Sequence, residues 1–303
     1  MRKNPKVFII ILNWNGAQDT IECLDSLRKV EYDNFDVLVI DNDSKGNDAN
    51  EITNIHGDWI KLIKNNKNDG FAEGNNIGMR HALTLGADFV LLLNNDTTVA
   101  PDFLSNMVNV ANSDLSIGLV TPTIYFYSQP QKIQDQGRKI GWYGPPGSVV
   151  RMSNPSIERV DIELALGTSL LVKKSVIEQI GFLCKDYFYQ VEDTDYCART
   201  IKAGFKVVCA PKASIWHKGS VSLNKVPSEK LGYFTRNRFM FRAKHATNLQ
   251  LVVFTLWFFM IEAPINTFYY LWKFKSINPI KGLLWGTREG MKCLLKKAGF
   301  ANV

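Results

Sequence analysis

Three apolar runs rich in β-branched or bulky residues mark the first hundred positions: Val7–Leu12, Val37–Ile40 and Phe89–Leu93. Each stops at a polar cluster: Asn13-Trp14-Asn15-Gly16, Asp41-Asn42-Asp43-Ser44 and Asn94-Asn95-Asp96. Helical spacing lies between them. Thr20–Val30 sets Ile21, Leu24 and Leu27 three apart, and Asn75–Leu85 carries Ile77, Met79, Ala82 and Leu83. Buried strand, polar loop and amphipathic helix, repeated, predict a mostly parallel sheet with helices on both faces. Ligands of such sheets bind outside the carboxyl ends of the strands, where all three polar clusters fall.

The pattern changes at 122–162, where nine Pro and Gly residues, among them Pro122, Gly137, Gly144 and Pro155, break any long element. A loop-rich or hairpin insertion beside a binding face is expected there. Regular patterning returns with Leu164–Val172, a helix near Lys174–Ile180, a segment Phe188–Ala203 and a strand Phe205–Ala210. From Tyr233 onward the chain reads as helical, aromatic and basic. No internal repeat is visible.

Composition narrows the classes. With 303 residues, 46% apolar and 21% charged, the chain is globular and long enough for one large α/β domain plus an appendage. The five cysteines are scattered without a CxxC pair, which fits a reducing compartment better than a disulfide framework or a zinc ribbon. The apolar run Val7–Leu12 is too short for a signal-peptide core. The net charge of +7 is unevenly placed: residues 231–303 sum to +9 and the first 230 to −2. A nucleic-acid binder would carry its basic stripe on the main body, so nucleic acid is not expected as a partner. A basic tail rich in Trp, Phe and Tyr suits an anionic membrane surface.

Several clusters carry candidate chemistry. Asp96, at the end of a buried strand, either holds a hard cation against phosphate oxygens or closes an Asx turn. Glu192-Asp193-Thr194-Asp195 places three carboxylates in four residues. A helix N-terminus accounts for one acid comfortably, whereas three repel unless a cation or a substrate proton is near. Asp41 is either a turn acid or an acceptor for the imide N–H of uracil or thymine. The glycines of Asp69-Gly70-Phe71-Ala72-Glu73-Gly74-Asn75-Asn76-Ile77-Gly78 allow either close approach to a ligand or tight helix–sheet packing. No P-loop or GxGxxG fingerprint is present. A lone His217 by itself reads as structural.

Together, Ile9–Gly16, Val39–Ser44, Asn68–Gly78, Leu93–Asp96 and Val191–Asp195 resemble, in order, the motifs of family 2 inverting glycosyltransferases with the GT-A fold, a Rossmann-like sheet with helices on both faces. The rhamnosyltransferase-like branch is the nearest in appearance, and the likeness spans roughly residues 6–245. It implies that Asp41 and the first loop, with Asn13 and Asn15, hold the nucleotide base. It implies that Asp69, Gly70, Phe71 and Asn75 line the nucleoside, with Asn94 and Asn95 beside the donor. Asp96 and His217 would bind Mg²⁺ or Mn²⁺ at the diphosphate, and Asp193, flanked by Glu192, would be the general base on the acceptor hydroxyl. Position 94 is Asn where the family's motif carries Asp, so a charge is missing there. Tyr233–Arg238 resembles the segment that closes over the site.

The implied activity is metal-dependent, inverting transfer of a sugar, such as rhamnose, from a dTDP- or UDP-sugar to a glycan or lipid-linked glycan in surface polysaccharide synthesis. The rivals are a nucleotidyltransferase and a non-catalytic glycan-binding or scaffold protein. The expected organisation is a catalytic domain at 1–230 and a helical extension at 231–303. That extension would place the enzyme peripherally on the cytoplasmic face of the membrane. Within it, Leu249–Trp272 is apolar but interrupted by Glu262 and Pro264. Ile280–Leu295 gathers Ile280, Leu283, Leu284, Met291, Leu294 and Leu295 on one face. That face either lies in the membrane plane or packs on the protein itself.

Overall fold

The computed structural model describes residues 4–144, 147–150, 157–219, 228–297 and 299. The chain opens with β1 (Val7–Asn13), α1 (Ala17–Leu27), β2 (Phe35–Asp41), α2 (Asp48–His56), β3 (Ile60–Lys64), α3 (Gly70–Thr84) and β4 (Phe89–Asn94). It continues through β5 (Thr97–Val99), α4 (Phe103–Ser113), β6 (Ile117–Phe126), β7 (Gln129–Asp135) and β8 (Val160–Ile162). Then come β9 (Ser169–Lys173), α5 (Lys174–Ile180), α6 (Glu192–Lys202) and β10 (Lys206–His217). The C-terminal helices are α7 (Ser228–His245), α8 (Asn248–Trp257), α9 (Ala263–Phe274) and α10 (Asn278–Lys297). A π-helical turn, Phe258–Glu262, joins α8 to α9.

One sheet runs β3-β2-β1-β4-β9-β6-β10-β5, with β7 on β6 and β8 on β10. Its first half is parallel, as the alternation of strands and helices predicts. The second half is mixed: β9 enters antiparallel to both β4 and β6, and β5 is antiparallel to β10. The expected mostly parallel sheet is thus a mixed one, still covered by helices on both faces. The difference arises because β9 follows the Pro- and Gly-rich insertion and returns without a crossover helix.

Strand period puts alternate residues on opposite faces. Ile9, Ile11, Val37, Val39, Leu91 and Leu93 face a layer containing Leu24, Leu27, Phe103 and Met107. Phe8, Ile10, Leu38, Ile40, Val90 and Leu92 face the other, with Met79, Ile177, Tyr196 and Phe241. Each fully buried aliphatic contributes about 1.5–3 kcal/mol, so these strands anchor the sheet. Gly74 lies so close to β1 that a Cβ would stand 2.6 Å from Leu12 Cδ1, which makes it a packing glycine of α3.

α7 joins this body, sending Met240 and Phe241 into the second layer. The expected boundary at residue 231 falls inside this helix. α10 lies along α7 through a glycine seam: a Cβ at Gly286 would sit 2.3 Å from Gly232 O. Leu283 and Leu294 are buried in that contact. The proposed membrane face of Ile280–Leu295 is therefore corrected: glycine on both helices allows close approach, and only Leu284 of the pair Leu283-Leu284 is exposed. The continuous helix from Asn248 to Phe274 instead presents apolar surface, and it is long and apolar enough to cross a membrane. Phe254 and Phe258 dock it on Phe239, while Leu249, Val252, Leu256, Met260, Ile265, Phe268 and Trp272 stand exposed. Glu262, which interrupts the run in sequence, is neutralised by Arg238. The wide π turn precedes Pro264, so the helix absorbs the missing N–H without a break.

Candidate active site

Parallel pairing in register aligns the polar strand ends. Asn13 is opposite Asp41, and Leu12 is opposite Asn94. The first cluster is a buried network. Asn13 Nδ2 donates to Asp41 Oδ1 at 2.9 Å, and Ser44 Oγ donates to the same oxygen at 2.6 Å. Asp48, at the start of α2, accepts from Asn13 Nδ2 at 3.1 Å and from Gly16 N at 2.8 Å. Asn15 has φ +53° and is tied to the second loop through Ser44 Oγ and Lys45 N. Asn95 turns toward the same loop, donating to Thr20 Oγ1 at 3.0 Å.

Asn42 fixes the next loop. Its amide donates to Asn68 Oδ1 and Gly70 O, and its oxygen accepts from Asn65 Nδ2 and Asp69 N. Gly70 has φ +77°, and a Cβ there would stand 2.4 Å from Phe188 O, so only glycine lets Phe71 N donate to that carbonyl at 2.8 Å. Phe71 lies across Gly167. Asp69 pairs with Lys67 at 3.0 Å. Asn75 is 2% exposed and donates to Phe71 O, so its side chain supports the loop from within.

Antiparallel β5 places Thr97 opposite His217. This brings Asp96 Oδ1 within 3.2 Å of His217 Nε2, across 121 positions of sequence. His217 Nδ1 lies 3.1 Å from Gln134 Oε1 on β7. With the proton on Nδ1, Nε2 directs its lone pair at the place Asp96 occupies, the usual arrangement of a metal-binding imidazole. Both side chains are partly exposed. A protein carboxylate and an imidazole leave the remaining positions of a hard cation to phosphate oxygens and water.

Antiparallel β9 brings the segment before it to the end of β4, where Asn94 N donates to Thr168 O at 2.9 Å. Here a cavity of about 410 Å³ opens, bordered by Phe71, Asn94, Gly167, Glu192, Asp193 and Arg242 among others. α6 enters through two consecutive left-handed residues, Gln190 (φ +68°) and Val191 (φ +73°), an uncommon backbone for non-glycine residues. Asn237 of α7 secures that turn by donating to Tyr189 O and Gln190 O, both at 2.9 Å.

The three acids of α6 part company here. Asp195 is buried in an ion cluster with His245 Nε2 and Arg199 Nε, each at 2.8 Å, and Tyr187 OH at 3.3 Å. Burial pushes its pKa up, but His245 and Arg199 prevail and hold it below the usual carboxylate range. Asp193 borders the cavity. Burial raises its pKa, against hydrogen bonds from Gly167 N at 3.0 Å and from Thr194 N and Oγ1 at 2.6 and 3.1 Å. Glu192 is 5% exposed, and its Oε2 has no partner among the described residues. Burial first, and the Asp193 charge second, push its pKa well up. Burial raises the pKa of both adjacent acids, and carboxyl groups shifted upward beside a cavity are a common arrangement for proton-transfer chemistry.

Asp48, Gly167 and Arg242 were not singled out from sequence, and Asn42 and Arg238 appeared there only as members of longer segments. The two arginines stand four apart on α7, a spacing that puts both on one helix face.

The chain matches Glycosyl transferase family 2 over residues 8–168. It is 22% identical over 305 residues to the dTDP-rhamnosyl transferase RfbF of Shigella flexneri, covering 94% of this chain and 99% of that one. It is 24% identical over 243 residues to the low-salt glycan biosynthesis hexosyltransferase Agl10 of Haloferax volcanii, covering 77% and 74% respectively. Among solved structures, the mannosyltransferase PcManGT of Pyrobaculum calidifontis, in complex with GDP-Man and Mn²⁺, superposes with a TM-score of 0.59 at 17% identity. That match covers 100% of this chain and 77% of the other. Sheet order, helical layers and matched motifs agree: the chain has the GT-A fold and belongs to glycosyl transferase family 2.

Proposed function

We propose that this glycosyltransferase moves a sugar, with inversion, from a dTDP- or UDP-sugar to a glycan or lipid-linked glycan acceptor, with Asp193 as the general base. The observation that carries the reading is the Asp193 carboxylate on the wall of the 410 Å³ cavity, beside the strand end that bears Asn94. The likeness to a dTDP-rhamnosyl transferase supports a deoxyhexose donor.

The donor base would lie against the Asn13–Asp41–Ser44 network, with Asn15, Asp69, Gly70 and Phe71 around the nucleoside. Asn94, lacking a charge, would offer amide hydrogen bonds to the donor. Asp96 and His217 would hold Mg²⁺ or Mn²⁺, which supplies Lewis-acid stabilisation of the departing diphosphate. The Gly167 and Thr194 N–H groups fix the Asp193 carboxylate, which takes the proton of the incoming hydroxyl. Burial makes it a stronger base than a surface aspartate, and base catalysis of this kind contributes about 10²–10⁴-fold. Burial and the charge of Asp193 both favour the neutral form of Glu192 beside it.

The exposed apolar face of the 248–274 helix, with Lys273 and Lys275 exposed at its end and Lys281 exposed on α10, supports membrane attachment, and a donor made in the cytoplasm would put the enzyme peripherally on the cytoplasmic face. A thermal-shift panel of nucleotide sugars with Mn²⁺ tests the reading. One dTDP- or UDP-sugar should stabilise the protein in a metal-dependent way. No shift with any of them would overturn it.

A further inference from the structure

The cavity that holds Asp193 ends in a cationic wall on α7. Arg242 is 4% exposed, and among the described residues its guanidinium donates hydrogen bonds only to backbone oxygens: Gly141 O, Gly144 O at 3.3 Å and Arg238 O at 3.2 Å. Its Nε has no partner among the described residues, and it makes no ion pair there. Arg238, one turn earlier, also borders the cavity and uses its charge on Glu262. Glu262, held by Arg238, reaches Arg242 through its charge but without a hydrogen bond, and a buried guanidinium that no carboxylate contacts is costly unless an anion completes it. Burial and the neighbouring Arg238 bring the Arg242 pKa down to about 9, so it still carries its charge at neutral pH.

The position of this cation says what completes it. Its Cζ lies 3.8 Å from the Phe254 ring centroid, and Arg238 lies over Phe254 and Trp257. These aromatics belong to α8, whose opposite face is the bare apolar surface of Leu249, Val252 and Leu256. Neither Asp41, Asp96 nor His217 borders this cavity. Phe71 and Asn94, assigned to the donor, border the same cavity, while the cation lies on its α7 side, between the base and the apolar helix.

We propose that Arg242, with Arg238, is a phosphate subsite that binds the phosphate or diphosphate of a lipid-linked acceptor. The inference rests on the acceptor reading of the cavity given above. The lipid chain would leave along the 248–274 helix, and the sugar next to the phosphate would project toward Asp193. Planar, multiply donating guanidinium groups suit phosphate oxygens better than an ammonium does.

The test is titration of the full-length chain in neutral detergent with farnesyl diphosphate, and in parallel with inorganic diphosphate, farnesol, dTDP and UDP. Wild type should bind farnesyl diphosphate more tightly than inorganic diphosphate or farnesol. Arg242→Met should weaken that binding by about tenfold or more, the usual scale of a lost charge-assisted contact, and leave nucleotide binding unchanged. Glu262→Gln removes the carboxylate that competes for Arg238 and should tighten it. Equal binding by wild type and Arg242→Met would overturn the proposal. So would inorganic diphosphate binding as tightly as the lipid, or a parallel loss of dTDP or UDP binding. Should Arg242→Met fail to fold, Glu262→Gln decides: unchanged or weaker farnesyl diphosphate binding refutes the subsite. Failure of the underlying reading is separate, seen as a wild-type chain that binds neither a dTDP- nor a UDP-sugar.

Discussion

Asp195 and Asp193 stand two positions apart on α6, and substituting each should affect a different property. Asp195→Asn keeps the shape but removes the charge and turns an acceptor into an amide donor. His245 Nε2, Arg199 Nε and Tyr187 OH all converge on this carboxylate, so an amide NH₂ must face at least one of them. Breaking a buried ion pair costs about 3–5 kcal/mol, and the lower end applies because Arg199 is partly exposed and keeps the Ile180 and Phe182 carbonyls. About 3 kcal/mol should lower the urea midpoint by roughly 1–3 M for an m-value of about 1–3 kcal/mol/M. The pH dependence follows from the lowered native pKa. The stabilisation is present above the unfolded value of about 3.9 and is lost as pH falls through the native pKa. Asp195→Asn should therefore show a flatter acid limb in midpoint against pH. Under conditions where it is folded, it should retain turnover. A wild-type midpoint, or full stability with no turnover, would refute the division between the two acids.

The other elements give sharper contrasts. Asn42→Ala removes four hydrogen bonds that hold the loop before Gly70, two of them to side chains and two to backbone. It should cost about 1–3 kcal/mol in urea unfolding and weaken nucleotide binding, both measured on one sample. Asp96→Ala and His217→Ala should each raise the Mn²⁺ concentration needed for half-maximal activity, while apo stability changes little; equal metal dependence would count against a shared cation. Full-length protein should bind anionic vesicles at low salt, and less tightly as salt rises, at about 1 kcal/mol per basic residue near the surface. Met260→Glu should weaken the salt-resistant part more than Leu284→Glu, because Met260 lies on the exposed apolar helix and α10 is docked on α7.

How far the sequence could be read depended on the range of the interaction. Strand runs and the helices between them are local patterns, so β1, β2, β4 and their polar ends were visible, as was the parallel half of the sheet. The antiparallel entry of β9 depends on pairing across the Pro- and Gly-rich insertion, which leaves no periodic trace. Asp96 and His217 were linked only by resemblance, because their proximity comes from β5 folding back on β10. α10 shows the opposite failure: its apolar face was visible, but its partner was not. Gly232, Gly282, Gly286 and Gly290 hold the information, since small residues three or four apart let two helices approach. Arg238 was read as the end of a segment closing over the site and Arg242 only as tail charge, yet the fold buries both, and only the i, i+4 spacing hinted at a shared direction.

Kinetics of Asp193→Asn bear most directly on the proposed mechanism. Nucleotide-sugar binding, measured by titration with Mn²⁺, should stay near wild type if Asp193 acts on the acceptor, because among the described residues its hydrogen bonds come from Gly167 and Thr194. Turnover should fall by about 10²–10⁴-fold, the loss expected for a general base. In the wild type, the acid limb of kcat/KM should lie above the ordinary aspartate range, since burial raises the Asp193 pKa. Near-normal turnover by folded Asp193→Asn, with donor binding intact, would contradict the assignment of the base.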